Sequence, residues 1–246
     1  MRNFLIMLIC IGVFWQIFLT PPQIKSDVPY KLKYKQEVFG STSTKKLPMI
    51  ILLHGSGANE KDIIKGLSEN RFDIPIRGIS LRGPLNSGLG FRWAYGTGKT
   101  YAEASLAHDK VLRDVGFSIA QSTDELLKKF PTVGKPFVFG FSEGASIAYY
   151  LAVNYQDKFS AVFVCSGELT HQFFPESIDT DLPPIHVYHG KNDSVISISS
   201  AKRTISDIGR FSDEIYLLEY DTGHSMTRSA VDDMENNILE YVRSIN

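Results

Sequence analysis

Three short stretches of this sequence place reactive side chains at the spacing that acyl transfer requires. Gly140-Phe141-Ser142-Glu143-Gly144 follows the apolar run Phe137-Val138-Phe139 and precedes a helix-forming run at residues 145–153. A serine flanked by glycines two before and two after, between a strand and a helix, sits on a tight turn that pushes its hydroxyl outward. The glycines let the backbone approach itself closely there. Ser142 is therefore the candidate nucleophile, although the same five residues would also suit an ordinary glycine-rich turn. His189-Gly190-Lys191-Asn192-Asp193 follows a second apolar run at 185–188. Asp193 is placed to orient a histidine and stabilise its imidazolium. Asp221-Thr222-Gly223-His224-Ser225 follows a third run at 215–218 and supplies His224 as the candidate general base. Asp221 is the rival acid. It stands on the same loop as His224, where aspartate ordinarily caps backbone amides.

Attack by a serine creates a negative oxygen, which preorganised backbone N–H groups stabilise. Leu53-His54-Gly55-Ser56-Gly57-Ala58-Asn59 follows the apolar run 49–53 and is small enough to approach a substrate. The expected oxyanion donors are the N–H groups of Ser56 and Glu143, the latter being the residue after the nucleophile. His54 is expected to brace its loop. Ser56 is a second hydroxyl, but nothing presents it on an elbow.

These loops need rigid elements behind them. Residues 30–35 alternate apolar and basic, which predicts a half-exposed edge strand whose lysines blunt the edge. Residues 49–53 are continuously apolar and predict a strand buried on both faces. Further strands are expected at 77–81, 136–141, 161–165, 185–188 and 215–218, with helices at 105–130, 144–154, 197–208 and 226–241. Strands alternating with helices imply an α/β fold with a mostly parallel central sheet and helices on both faces. Sites in such sheets form at the carboxyl ends of the strands, where all of the loops above lie. The order Ser142, Asp193, His224 is the one used by α/β-hydrolases.

Together with Arg82-Gly83-Pro84 and Arg92-Trp93, these segments resemble the phospholipase/carboxylesterase family of α/β-hydrolases, to which acyl-protein thioesterases and small bacterial carboxylesterases belong. The resemblance spans roughly residues 48–241. It implies an α/β-hydrolase fold, hydrolysis of carboxylic esters, thioesters or lysophospholipids, and no cofactor or metal. It also implies that Trp93 lines the acyl pocket. Glu143 departs from the family, where glutamine is common. A carboxylate beside the nucleophile is expected to favour neutral or cationic esters over anionic ones.

Residues 4–19 are apolar apart from Gly12 and Gln16 and follow Arg2. They are read as a hydrophobic helix acting as signal peptide or membrane anchor, residues 1–20, joined by a linker, 21–27, to a hydrolase domain, 28–246. The expected location is extracytoplasmic, membrane-anchored or secreted, with membrane association through residues 4–20. Lys plus Arg total 26 against 27 for Asp plus Glu. That balance argues against a nucleic-acid partner, since such surfaces are strongly basic. Two cysteines, one of them in the leader, exclude a disulfide framework. Gly96-Thr97-Gly98-Lys99-Thr100 imitates the end of a phosphate-binding loop but has Trp93 where the first glycine belongs. His108 and His171 are expected on the surface, with Cys165 and the Tyr149-Tyr150 pair in the core. The readings to be weighed against an esterase are a peptidase or other hydrolase on the same fold, and a silent, anchored hydrolase-fold binding protein.

Overall fold

The computed structural model describes residues 28–94, 101–178 and 181–245. The apolar leader, the linker and the stretch at 96–100 lie outside them. Among the described residues no helix is long and apolar enough to cross a membrane.

Seven strands form one sheet in the order β1 (Tyr34–Phe39), β3 (Ile76–Leu81), β2 (Met49–Leu53), β6 (Phe137–Phe141), β7 (Val162–Cys165), β8 (Ile185–Gly190) and β9 (Ile215–Tyr220). Only β1 runs antiparallel, against β3. The other pairings are parallel, so β2, β6, β8 and β9 all end on one side of the molecule. Two three-residue strands, β4 (Leu85–Ser87) and β5 (Gly90–Arg92), pair as a separate hairpin.

Every side chain of β2 is fully buried because helices cover both faces of the sheet. Met49, Ile51 and Leu53 pack with Leu112, Val115 and Ile119 of α2 (Tyr101–Lys129) and with α3 (Glu143–Asn154). Ile50 and Leu52 face the opposite layer. There they meet Ile63, Ile64 and Leu67 of α1 (Asp62–Glu69) and Val231, Met234 and Ile238 of α5 (Arg228–Ile245). Each such aliphatic burial contributes about 1.5–3 kcal/mol, so this strand is a rigid base for the loop that follows it. The remaining helix, α4 (Ile198–Ile208), starts at Ser197, whose side chain accepts from the Ser200 N–H.

The expected strand at 30–35 pairs four residues later. Leu32 and Tyr34 are buried as their alternation predicts, but the ladder runs from Tyr34↔Leu81 to Phe39↔Ile76. The short α1 and the β4–β5 hairpin were not expected. His108 is not a free surface residue: its ring stacks on Phe173 at 5.6 Å. Cys165, Tyr149 and Tyr150 are in the core.

His186 on β8 carries a pH prediction. Its ring is stacked between Phe163 and Tyr216 and is within 2.9 Å of the Tyr241 hydroxyl. Burial pushes its pKa down to about 4. In the unfolded chain a histidine takes its proton near pH 6.5. Between those values the unfolded state binds a proton that the folded state refuses, so stability falls as pH falls from about 6.5 towards 4. His186→Phe is expected to flatten that part of a melting-temperature profile. An unchanged slope would assign it to other groups.

Candidate active site

Ser142 stands between β6 and α3 with φ 56° and ψ −120°, a left-handed conformation that costs a non-glycine residue free energy. The flanking glycines are what permit it. A Cβ on Gly140 would lie 2.1 Å from the Gly144 carbonyl oxygen, and one on Gly144 would lie 2.1 Å from that of Leu53. The elbow is tied to the end of β7 by the Ser142 N–H, which donates to the Cys165 carbonyl at 3.0 Å.

His224, on the loop after β9, brings its Nε2 to 2.9 Å from Ser142 Oγ and its Nδ1 to 2.8 Å from Asp193 Oδ2. Asp193 Oδ1 accepts from the N–H groups of Val195 and Ile196, both at 2.9 Å. Its side chain is fully shielded from solvent. Burial alone would raise its pKa, but the hydrogen bond from His224 and those two amides outweigh it and hold the carboxyl below its ordinary value. An ionised Asp193 can only accept, so His224 carries its proton on Nδ1 and turns the Nε2 lone pair to the serine. His189 lies behind the carboxylate: its Nε2 donates to the Ile196 carbonyl at 2.9 Å and stands 3.5 Å from Asp193 Oδ2. Asp221, the rival acid, pairs instead with Lys191 at 2.9 Å on the surface. The three residues expected to work together are thus side by side, and Asp221 is apart from them.

The 54–59 loop lies against the elbow. A Cβ on Gly55 would be 3.2 Å from the Ser142 Cβ. The loop is fastened to the hairpin, since Gly57 N–H donates to the Phe91 carbonyl and Phe91 N–H to the Ala58 carbonyl, each at 2.8 Å. The hairpin is held in turn by Arg82, which grips Glu60 with two hydrogen bonds of 2.5 Å and lies over the Phe91 ring at 4.5 Å. His54 braces the loop as expected. Its Nδ1 donates to the Gly55 carbonyl at 2.7 Å and its Nε2 accepts from Gly83 N–H at 3.0 Å. Burial lowers its pKa, in keeping with a neutral ring that donates and accepts. Among the described residues, the N–H groups of Ser56 and Glu143 have no backbone or side-chain acceptor.

Trp93 and Glu143 make contacts that the sequence does not announce. Trp93 has 0% of its surface exposed, and its indole N–H donates to the His54 carbonyl at 2.7 Å. Among the described residues it is held beneath the 54–59 loop as part of the scaffold. The Glu143 carboxylate is not a free charge beside the nucleophile. It accepts from the N–H groups of Trp93 at 3.1 Å and Ala94 at 3.2 Å, and Arg92 Nε lies 3.7 Å away. Sequence reasoning missed Glu60 altogether, although an acid one residue beyond the 54–59 loop and an arginine directly after a strand were both in view.

The Phospholipase/Carboxylesterase family model matches residues 35–242. Among solved structures, the esterase PE8 superimposes with a TM-score of 0.70 at 19% identity, covering 85% of this chain and 99% of that one. A Bacillus cereus carboxylesterase gives 0.67 at 20% identity, over 85% of this chain and 94% of that one. A Zea mays acyl-protein thioesterase 2 gives 0.64 at 19% identity, over 84% and 98%. These likenesses establish the α/β-hydrolase fold. No curated protein matches the sequence.

Proposed function

The chain belongs to the phospholipase/carboxylesterase family, and we propose that it is a serine hydrolase that cleaves carboxylic esters through an acyl-enzyme. The observation that carries this reading is the unbroken hydrogen-bond chain from Ser142 Oγ through His224 to Asp193. Ser142 Oγ attacks the acyl carbonyl carbon while His224 Nε2 takes the hydroxyl proton. The carbonyl oxygen becomes an oxyanion facing the N–H groups of Ser56 and Glu143. As the tetrahedral intermediate collapses, the bond to the leaving alcohol or thiol breaks and His224 returns the proton to it. Water then attacks the acyl-serine by the same route, releasing the acid and restoring Ser142. Asp193 holds His224 in the working tautomer and offsets its charge while it is protonated. Side chains, backbone amides and water suffice for every step. Oxygen esters, thioesters and lysophospholipids all offer the acyl carbonyl this sequence of steps needs. The leader at residues 4–20 extends the proposal to a domain working outside the cytoplasm, tethered or released.

A fluorophosphonate probe tests the reading, because it reacts with a serine activated in this way and not with an ordinary hydroxyl. The chain is expected to be labelled once, and Ser142→Ala to abolish labelling. A folded wild type that resists the probe would favour the silent binding protein instead.

A further inference from the structure

The two N–H groups assigned to the oxyanion come from segments far apart in the chain, and one path of contacts joins them. The Glu143 carboxylate accepts from the Trp93 backbone N–H; the Trp93 indole donates to the His54 carbonyl; His54 leads through Gly55 to Ser56. Gly55 closes the ring by packing on Ser142, directly before Glu143. We propose that the Glu143 side chain and Trp93 form a brace that sets the separation of the two oxyanion donors. Glu143 is then a donor through its backbone and a positioning residue through its carboxylate. The inference rests on the serine-hydrolase reading and deepens it.

The chemistry of the brace explains why a carboxylate stands here. Two backbone donors, Trp93 and Ala94, converge on one side chain at 3.1 and 3.2 Å. A carboxylate accepts from both; glutamine has one oxygen, and its NH₂ would face the second donor. Arg92, 3.7 Å away, offsets the charge. Indole plays the matching part on the other side. The His54 carbonyl is buried with it, and a buried carbonyl stripped of its donor is costly. Trp93 is thereby held at its backbone and at its indole, and a link held at both ends transmits the position of the elbow to the 54–59 loop.

Kinetics on the full chain test the brace through Glu143→Gln, Trp93→Phe and the double variant. An interaction that matters only in the transition state lowers kcat and leaves KM in place. Each single variant is expected to lose about tenfold in kcat, less than the loss of a whole oxyanion donor, with KM little changed. Affinity for a trifluoromethyl ketone, which forms a tetrahedral adduct, should fall by the same factor as kcat/KM. Because both links lie in one ring, the double variant should be no worse than about the weaker single, whereas independent sites would multiply. Anionic and neutral esters should be affected equally. The brace is overturned if both single variants keep wild-type kcat, if their effects multiply, or if Glu143→Gln changes only the anionic-to-neutral preference. Trp93→Phe keeps an aromatic ring, though a smaller one, while removing the indole N–H, and provides a second measurement should Glu143→Gln fold poorly. A wild type that neither labels with fluorophosphonate nor turns over would overturn the hydrolase reading itself, and the brace with it.

Discussion

Asp193→Asn is expected to lower kcat by about 10⁴, the scale of a base held in the wrong tautomer. Asparagine keeps an oxygen for the amides of Val195 and Ile196, so the loop should hold its shape. Its NH₂ would then face His224 Nδ1, now 2.8 Å from Oδ2. Nδ1 would have to accept, the proton would move to Nε2, and the ring would point a donor at Ser142, leaving nothing to take the serine proton. Burial sharpens the effect, since no solvent reaches Asp193 to replace the lost charge. The control is Asp221→Asn, which disturbs only a surface pair with Lys191 and should keep kcat within about twofold, because exposed pairs contribute little. Steady-state rates on one activated ester compare the two. A large loss at Asp221 with a small one at Asp193 would reverse the assignment.

Arg82→Met should have the largest effect on stability, approaching the about 3–5 kcal/mol that removing one partner of a buried ion pair costs, because Glu60 is buried while Arg82 keeps 19% of its side chain exposed. The Glu60 side chain is fully buried, and its carboxyl stays ionised because the Arg82 hydrogen bonds outweigh a burial penalty that would raise its pKa. Without Arg82 that carboxylate either remains charged without its partner or takes up a proton, and both oppose folding. The variant also loses the guanidinium stacked on Phe91. Glu60→Leu combined with Arg82→Met removes both charges and should recover part of the loss. Urea titrations at neutral pH provide the comparison. A loss below about 1 kcal/mol for Arg82→Met, or a double variant less stable than it, would mean that the pair behaves as though exposed to water.

The residues of the proposed chemistry were legible because each follows a strand whose apolar run announces itself. Ser142 is framed by two glycines, and the structure shows the contacts that forbid any side chain at either. Loop position alone favours Asp193 over Asp221, and the geometry places Asp193 against His224. Strand β2 was legible to the residue because burial on both faces leaves an uninterrupted apolar run. What escaped were elements whose stability comes from elsewhere in the chain. The β4–β5 hairpin has only three residues in each strand and is held by Gly57, Ala58 and Arg82, so no local pattern marks it. The α1 helix is eight residues long and depends on the packing of Ile63, Ile64 and Leu67 beneath the sheet. Resemblance points Trp93 at the pocket, while its burial and its bond to His54 are properties of the folded chain alone. Glu143 shows the same limit: its position could be read, but the two amides that claim its carboxylate could not.

The most direct test is hydrolysis of p-nitrophenyl esters from acetate to palmitate by the full-length chain, with Ser142→Ala alongside. The wild type is expected to turn over, with an optimum that sizes the acyl pocket, and the variant to lose at least about 10⁴. Equal rates for the two proteins, or a folded wild type inactive on every ester in the series, would contradict the serine-hydrolase reading.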